Sequence, residues 1–362
     1  MKVGIVGLPN VGKSTIFNAL TNAKIPANNY PFCTIDPNVG SVVVKDKRLD
    51  VINKYISTDK IIPTSIEFVD IAGLVKGASQ GEGLGNQFLS HIRNIDLIVH
   101  VVRCFENENI THVENNLDPI RDIEIIETEL MLKDLESVDK KIVKVSKNAK
   151  SGDKDSILEL SILEKIQKNL NNGIMIKNID FDDKEKELLK TFFLITTKPI
   201  IYLANVSEDI LNNDNVYTTS VKEYSKNMQS EFLKLSGSIE MEISMLPKEE
   251  QLDYLSMYNL KSSGLDQLIK LSYHLLGLQT YFTAGEKEIK AWTIKRGFKA
   301  PDAAGVIHSD FQRGFIKAEI YNIQDLEKYK SELELKNAGK IRQEGKEYIV
   351  KDGDIILFRF NV

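Results

Sequence analysis

Cysteine is scarce in this sequence: only Cys33 and Cys104 occur among 362 residues. Two thiols are too few for the disulfide frameworks that stabilise small secreted proteins. No apolar run approaches the roughly 18–20 residues that a membrane-spanning helix needs. The N-terminus also lacks the apolar core and small-residue cleavage site of a signal peptide. We therefore expect a soluble, cytoplasmic protein with no membrane partner.

An excess of charge of either sign is also missing. Lys and Arg total 47 against 52 Asp and Glu, which gives a formal net charge of −5. This balance argues against a protein that binds polyanions over its whole surface, and we expect no DNA partner, although a local basic patch is compatible with it. Repeats and low-complexity tracts are absent, and a length of 362 residues predicts two or three domains.

Short apolar runs with the pattern of buried strands occur at Lys2–Gly7, Ser65–Asp70, Leu97–Val102 and Ile200–Asn205. A helical pattern from Lys13 to Leu20 follows the first of them. Alternation of this kind predicts an α/β fold whose parallel sheet carries helices on both faces.

A long polar helix replaces the strand pattern between Ile123 and Ala149. Its apolar residues repeat at intervals of four and three, at Met131, Leu135, Val138, Ile142, Val145 and Ala149. A break at residues 151–153 precedes a second helical stretch, from about Lys154 to Leu170. We expect an antiparallel hairpin that projects as an arm, because its other faces are rich in charge. Packing of the hairpin on its own domain is the alternative.

The pattern becomes mostly β from about Leu278. Strand-like segments lie at Ile289–Ile294, Phe315–Ile320, Tyr348–Val350 and Ile355–Phe360. The sequence therefore predicts three parts: a first domain at 1–122 and 191–277, a helical insertion at 123–190, and a compact domain at 278–362.

Residues 7–15, GLPNVGKST, fit the phosphate-loop pattern GxxxxGK[ST]. The glycines permit a tight turn in which successive N–H groups point at phosphate oxygens. In such loops the lysine, here Lys13, contacts the β- and γ-phosphates, and the hydroxyl of the next residue, Ser14, ligates Mg²⁺. The position between a predicted strand and a predicted helix supports this interpretation.

Two further elements are typical of the G-protein branch of phosphate-loop enzymes. Asp70 ends an apolar strand and begins a DxxG motif, so it can hold Mg²⁺ through water, and the N–H of Gly73 can meet the γ-phosphate. Thr34 lies between the first helix and the next strand, where a threonine completes the metal shell when a triphosphate is bound.

The sequence lacks the Asn-Lys-x-Asp motif with which GTPases recognise guanine. The strand that ends at Asn205 runs instead into Val206, Ser207 and Glu208. The longer side chain of Glu208 is poorly suited to the bidentate contact that aspartate makes with guanine, so we infer that ATP is the substrate. Residues 236–238, Ser-Gly-Ser, are a weak match to the loop that backs the base.

A glutamine that orients the attacking water is also missing, because Leu74 follows the DxxG motif. One candidate replacement is Asn10, whose amide oxygen could hold a monovalent cation such as K⁺ near the phosphates. Another is His112, which could polarise water if its loop folds over the nucleotide. The candidate catalytic residues are therefore Lys13, Thr34, Gly73 and His112.

Several long segments resemble the Obg-like ATPase (YchF) family. They are GLPNVGKST, FVDIAGLVKGASQGEGLGNQF, HVVRCFEN, NVSE and LQTYFTAGEKEIKAWTI. The resemblance covers essentially the whole chain, and it implies a TRAFAC-class G domain with an inserted helical coiled coil. It also implies a C-terminal TGS domain with a β-grasp, ubiquitin-like fold, a preference for ATP, and links to the ribosome and translation.

The same resemblance implies a set of site residues. Those expected at the phosphates are Asn10, Val11, Gly12, Lys13, Ser14 and Thr15. Ser14 and Thr34 would ligate Mg²⁺, Asn205 and Val206 would meet the base, and Leu74 would mark the family. Residues 236–238 depart from the alanine-containing segment common in relatives.

The function predicted from these features is a slow, Mg²⁺-dependent ATPase switch that binds ATP and ADP and acts on the ribosome or ribosomal RNA. Two alternatives stay open: a GTPase with a tolerant base site, and a nucleotide-controlled RNA- or ribosome-binding module with negligible turnover. Basic and aromatic residues at 295–299 and 308–317 indicate either an RNA contact or a solvated surface of the C-terminal domain.

Overall fold

The computed structural model describes residues 1–22, 38–71, 92–107 and 116–361. The predicted site residues Thr34, Gly73, Leu74 and His112 lie outside these ranges. The described chain forms two compact units. The first takes in residues 1–22, 38–40 and the described part of 67–265, and the second takes in 41–66 and 266–361.

The strands of the described chain are β1 (Lys2–Val6), β2 (Val39–Val43), β3 (Ile61–Ile62), β4 (Ser65–Asp70), β5 (Leu97–Arg103), β6 (Ile200–Asn205), β7 (Glu231–Leu235), β8 (Leu278–Ala284), β9 (Ile289–Lys295), β10 (Phe315–Tyr321), β11 (Arg342–Glu344) and β12 (Ile355–Phe360).

The helices are α1 (Lys13–Asn22), α2 (Arg48–Tyr55), α3 (Pro119–Ala149), α4 (Lys154–Asn171), α5 (Asp183–Lys190), α6 (Val216–Asn227), α7 (Gly237–Met245), α8 (Lys248–Met257), α9 (Gly264–Leu275), α10 (Ala300–Ile307), α11 (Ser309–Arg313), α12 (Ile323–Tyr329) and α13 (Glu332–Asn337). Within the described ranges, none of these helices is both long enough and apolar enough to span a bilayer.

The first sheet has the strand order β2-β4-β1-β5-β6-β7. The pairs from β4 through β7 are all parallel, which confirms the predicted parallel sheet. Every residue of β5 and of β6 is buried, as expected for central strands that are covered on both faces. This order brings the carboxyl ends of β4, β1 and β6 to one edge of the sheet, where the phosphate loop begins.

Helices α3 and α4 form the predicted hairpin. Asp118 caps α3 by accepting hydrogen bonds from the N–H groups of Ile120 and Arg121, and Pro119 occupies the first turn, where its missing N–H costs nothing. The predicted seam is confirmed, because Val138 and Val145 are buried in one cluster with residues of α4. The helix begins four residues earlier than predicted, since its cap lies upstream of the heptad pattern.

The first half of α3 is part of the sheet domain rather than of an exposed arm. Ile123, Ile126 and Leu130 in this half are buried, and the helix contacts β5 and α6. Glu127 is 4% exposed and accepts hydrogen bonds from the hydroxyls of Tyr202 and Tyr224. Burial raises the pKa of Glu127, so these two bonds are needed to compensate the buried carboxylate.

A second buried carboxylate fastens α3 about two turns further on. Asp134 is 1% exposed and accepts the N–H groups of Ile195 and Thr196, at 2.8 and 2.7 Å, together with the Thr196 hydroxyl. These residues belong to a short 3₁₀ turn. Strand β6 begins after it at Ile200, as predicted.

The second unit is built on a mixed sheet with the order β11-β10-β12-β8-β9-β3. Strand β12 lies parallel to β8, whereas its other neighbour β10 is antiparallel to it. This mixture agrees with the predicted β-grasp architecture. The predicted strand at Tyr348–Val350 is wrong, because only an isolated bridge joins Ile349 to Lys299.

Residues 48–62 contribute to this second unit, which the sequence did not predict. Leu49 and Ile52 of α2 are buried with Phe282 and Ile289, and β3 pairs with β9. The guanidinium of Arg48 donates to the carboxylates of Asp46 and Asp352, so α2 is fastened to the turn that precedes β12.

His100, in the middle of β5, makes the stability of this fold depend on pH. Its ring is 2% exposed, and burial, assisted by the nearby positive charge of Lys13, lowers its pKa to about 3. An unfolded histidine binds a proton near pH 6.5, so stability is complete above that pH and is lost as the pH falls towards 3. From pH 7 to pH 5, the free energy of unfolding should fall by about 2 kcal/mol more in the wild type than in His100→Gln. Urea titrations at the two pH values test this, and equal losses would contradict it.

Candidate nucleotide-binding site

The loop between β1 and α1 has the backbone of an anion-binding turn. Gly7, Asn10 and Gly12 have φ values of 151°, 63° and 97°. Such left-handed residues, interspersed with ordinary ones, turn successive N–H groups towards one concave surface. A Cβ at Gly7 would lie 2.4 Å from the carbonyl oxygen of Val101, so glycine is required there by sterics as well as by conformation.

Asn205 fixes this loop from the end of β6. Its amide nitrogen donates to the carbonyl of Val11 at 2.9 Å, and its amide oxygen accepts the N–H of Gly237 at 2.9 Å. The side chain is buried and lies so close to the loop that a Cβ on Gly12 would be 2.2 Å from its nitrogen. One side chain therefore joins the phosphate loop to the start of α7.

Lys13, Ser14 and Asp70, three of the predicted site residues, lie close together. The Lys13 ammonium donates to the carbonyl of Leu8 at 2.7 Å, and the Ser14 hydroxyl lies 3.3 Å from one oxygen of Asp70. Burial lowers the pKa of Lys13, while the charge of Asp70 opposes that shift. Burial likewise raises the pKa of Asp70, and Lys13 and Ser14 oppose the rise.

The oxygens of this cluster fit a hard divalent cation. The second carboxylate oxygen of Asp70, Oδ1, is buried and has no hydrogen-bond partner among the described residues. An orphaned carboxylate oxygen next to a serine hydroxyl is a donor set suited to Mg²⁺, which prefers oxygen and keeps several waters. The proposed third ligand, Thr34, lies outside the described residues.

Val206 and Glu208, two candidate residues for reading the base, differ in exposure. Val206 is 2% exposed, and its N–H donates to the carbonyl of Leu235 at 2.9 Å, so its side chain offers little surface to a base in this structure. Glu208 is exposed, and its carboxylate lies 3.4 Å from the Tyr258 hydroxyl. The backing loop at 236–238 lies beside Asn205, as its bond to Gly237 shows.

Sequence reasoning missed one feature of the site and one of strand β5. The bond from Asn205 to Gly237 was not foreseen, although an asparagine at the end of a buried strand is a signal for such a bridge. His100 was missed because a histidine inside an apolar strand reads as core. Cys104, which follows β5, is buried, and burial raises its thiol pKa to about 12, so it is unreactive at neutral pH.

We expect Asn205→Ala to lower both stability and nucleotide affinity. The substitution leaves the Val11 carbonyl and the Gly237 N–H unpaired in a buried place, which should reduce the free energy of unfolding by about 2 kcal/mol. Nucleotide affinity should fall more than stability alone explains, because the loop loses its fixed shape. Urea denaturation and calorimetric titration with ADP measure the two effects, and Asn212→Ala, at an exposed asparagine, is the matched control. Unchanged ADP affinity in folded Asn205→Ala would contradict this role.

Comparisons with known proteins agree with this geometry. The family model described as 50S ribosome-binding GTPase matches residues 2–148. A second model, YchF-GTPase_C, described as a protein of unknown function (DUF933), matches residues 278–361. The first match includes the phosphate loop and nearly all of α3, and the second match includes strands β8 to β12.

Full-length relatives are closely similar. The ribosome-binding ATPase YchF of Bacillus subtilis is 53% identical over 100% of both chains, and that of Haemophilus influenzae is 51% identical over 100% of this chain and 99% of its own. The structure of the Schizosaccharomyces pombe YchF GTPase aligns with a TM-score of 0.89 at 41% identity, covering 99% of this chain and 97% of that one. A GTP-binding protein from Pyrococcus horikoshii, 20% identical, shares the fold with a TM-score of 0.64 and full coverage of both chains. With a phosphate loop, a G-domain sheet, a helical insertion and a matching C-terminal domain, this chain belongs to the YchF family.

Proposed function

We propose that this protein binds ATP and hydrolyses it slowly with Mg²⁺, and that it acts on the ribosome as a nucleotide-controlled switch. The observation that carries the proposal is the cluster of Lys13, Ser14 and Asp70 beneath a loop whose backbone is shaped for phosphate. In this cluster a buried carboxylate oxygen of Asp70 has no hydrogen-bond partner among the residues that the structure describes, and the same carboxylate lies beside the Ser14 hydroxyl and the charge of Lys13.

Each residue of the loop has a role that follows from its chemistry. The N–H groups from Asn10 to Thr15 would bind phosphate oxygens, assisted by the positive N-terminal end of α1. Lys13 would leave the Leu8 carbonyl and neutralise the β- and γ-phosphates. Ser14, Asp70 through water, and Thr34 would hold Mg²⁺, which neutralises charge on the phosphates when it is bound.

The remaining catalytic roles rest on the sequence. We propose that the N–H of Gly73 binds the γ-phosphate and that Thr34 couples the bound triphosphate to a change in loop structure. His112 and a monovalent cation such as K⁺ held at Asn10 are the proposed substitutes for the missing glutamine. Asn10 has a left-handed backbone conformation, with a φ of 63°, which is compatible with a separate role for its side chain.

Selectivity for adenine would come from the segment after β6. In that segment Val206 stands where GTPases have lysine, and Glu208 stands where they have the aspartate that binds guanine. The exposed position of Glu208 leaves its longer side chain without the fixed geometry that a bidentate contact requires. Asn205 holds the loop and the base-backing segment together, so it would shape the pocket rather than read the base alone.

The ribosome is the proposed partner. The bacterial relatives are named ribosome-binding ATPases, and the family model that covers residues 2–148 is described as a ribosome-binding GTPase. A cytoplasmic location follows from such a partner. We propose that residues 1–122 and 191–277 bind the nucleotide, and that the insertion at 123–190 and the domain at 278–362 present surfaces to the ribosome.

The base preference can be measured directly and then reversed. We expect ADP to bind at least about tenfold more tightly than GDP, a difference of about 1.4 kcal/mol. The double variant Val206→Lys, Glu208→Asp recreates the guanine motif and should shift the ADP-to-GDP ratio by at least that factor towards GDP. Titration of nucleotide-free protein with both labelled diphosphates gives the ratios. Tighter binding of GDP than of ADP by the wild type would contradict the predicted adenine preference and would indicate a GTPase.

Asp70→Asn should separate metal binding from folding. Burial raises the pKa of Asp70, so the carboxylate is held at a cost, and the amide should leave the free energy of unfolding equal or higher. The Mg²⁺ concentration for half-maximal ATP hydrolysis should rise at least about tenfold, because the anionic oxygen that holds the metal's water is lost. Asp96→Asn is the matched control on the same unit. An unchanged Mg²⁺ requirement would contradict the role of Asp70.

A further inference from the structure

A basic groove of about 690 Å³ lies on the helical insertion, away from the nucleotide site. Its floor is one face of α3, and its walls are formed by the residues before β5 and by the segment between α5 and the 3₁₀ turn at 195–197. The side chains that matter to the argument are Arg93, Lys140, Lys141, Lys144, Phe192 and Phe193. We call this the hairpin groove.

The floor is a continuous stripe of donors. Ser137, Lys140, Lys141 and Lys144 are spaced i, i+3, i+4 and i+7, so they share one face of α3, with neighbouring Cβ atoms about 5–6 Å apart. Like charges at this spacing destabilise a helix by a few tenths of a kcal/mol. The lining carries four cationic side chains and no carboxylate within the described residues.

The charges on the floor differ in how they are engaged. Lys140 and Lys144 have no ion-pair partner in the described chain. Lys141 pairs with Glu159 at 3.0 Å and lies over the ring of Phe192, 4.1 Å from its centroid. Glu136, one turn before Lys140, is paired with Lys133 instead. Two ammonium groups on the floor are therefore available to an anionic partner.

Phe193 gives the groove an exposed aromatic ring. It is 70% exposed, and its φ of 52° places a bulky residue in the left-handed region. The position follows the end of α5, where glycine or asparagine is the usual choice. Neighbouring Phe192 is partly buried in the hairpin core, so only Phe193 presents its face to solvent. Both the strain and the exposure are unfavourable for folding alone.

The opposite wall is held in place by a buried cation. The ammonium of Lys198 donates to the carbonyls of Ile92 and Arg93, at 2.8 and 2.7 Å. The guanidinium of Arg93 in turn donates to the Ser137 hydroxyl at 2.6 Å, which fixes it at the edge of the stripe. Arg93 lines the groove, and the planar guanidinium of an arginine suits phosphate because it can donate two hydrogen bonds at once.

We propose that the hairpin groove binds a single-stranded segment of RNA, with the lysine stripe and Arg93 on its phosphates and Phe193 stacked on a base. The inference rests on the proposed action on the ribosome and names a surface for it. Aromatic rings beside a cationic track are the usual means of binding single strands, because every base has a face that can stack.

An acidic protein segment is the competing occupant. Carboxylates would satisfy the lysines, but they give no reason for a strained, exposed phenylalanine at the rim. The net charge of −5 also makes indiscriminate binding of anions weak, so a local groove should dominate any RNA affinity.

The test uses the full-length protein, a fluorescent oligouridine of about 12 nucleotides and anisotropy at several salt concentrations. Lys140→Gln, Lys144→Gln should lower the slope of log K against log salt by about 1.4, since two phosphate contacts are lost from a single strand. Phe193→Gly should weaken binding about fivefold or more while leaving the thermal midpoint equal or higher, because glycine removes the strain.

The matched control is Lys154→Gln, Lys168→Gln, which makes the same charge change on α4 outside the groove. RNA affinity should be unchanged in this control, and basal ATP hydrolysis should be unchanged in all three variants. The proposal would be overturned if the control lost as much RNA affinity as Lys140→Gln, Lys144→Gln. It would also be overturned if the protein bound polyglutamate more tightly than RNA.

Co-sedimentation with purified ribosomes separates this inference from the proposed function. Ribosome binding that survives both groove variants overturns the groove and leaves the ribosomal function standing. Groove variants that lose RNA in a protein that does not sediment with ribosomes support the groove and remove the ribosome as its partner. Parallel loss of RNA and ribosome binding in both groove variants supports the two together.

Discussion

The site depends on one buried amide. Asn205 uses its nitrogen for the Val11 carbonyl and its oxygen for the Gly237 N–H, so a single side chain fixes the phosphate loop relative to the segment that would back the base. Gly12 has to be glycine because the same amide occupies the space of its Cβ. The shape of the loop, the position of Lys13 and the start of α7 therefore follow from the end of β6. Of the Asn-Lys-x-Asp pattern of GTPases this chain has the asparagine, and that asparagine is the residue that makes these two bonds.

Several charged side chains of this protein are buried, where desolvation makes the charged form unfavourable. Asp70 and Lys13 are each held against their desolvation by the other, and Glu127 and Asp134 are held by hydroxyls and backbone N–H groups. Bound phosphate and metal would stabilise the charges of Lys13 and Asp70, as is expected at a binding site. The second pair is fully satisfied within the fold and serves structure. The two kinds of buried carboxylate therefore differ in what balances the charge: a bound ligand would do so for Asp70, whereas groups of the protein do so for Glu127 and Asp134.

Much of the sheet domain could be predicted from the sequence, because its signals are local. The apolar runs gave β4 and β6 to the residue, and the heptad pattern located the contact between α3 and α4. The packing of α3 on the sheet could not be predicted, since Glu127 reads as a solvent-facing charge until its two tyrosines are placed. The short helices of the second unit and the return of residues 48–62 to it depend on long-range contacts that no local pattern records.

The two buried carboxylates on α3 make the hairpin a lever. Glu127 is hydrogen-bonded to Tyr202 in β6, the strand whose last residue is Asn205, so the base of a 31-residue helix is joined to the strand that positions the phosphate loop. Beyond Asp134, the second of these anchors, the helix runs for about 24 Å to the turn at Lys150, at 1.5 Å per residue. A tilt of about 5° at Asp134 would carry the tip through about 2 Å over this length. Displacements too small to break a hydrogen bond beside the phosphates would thus become, at the far end, as large as a side-chain contact.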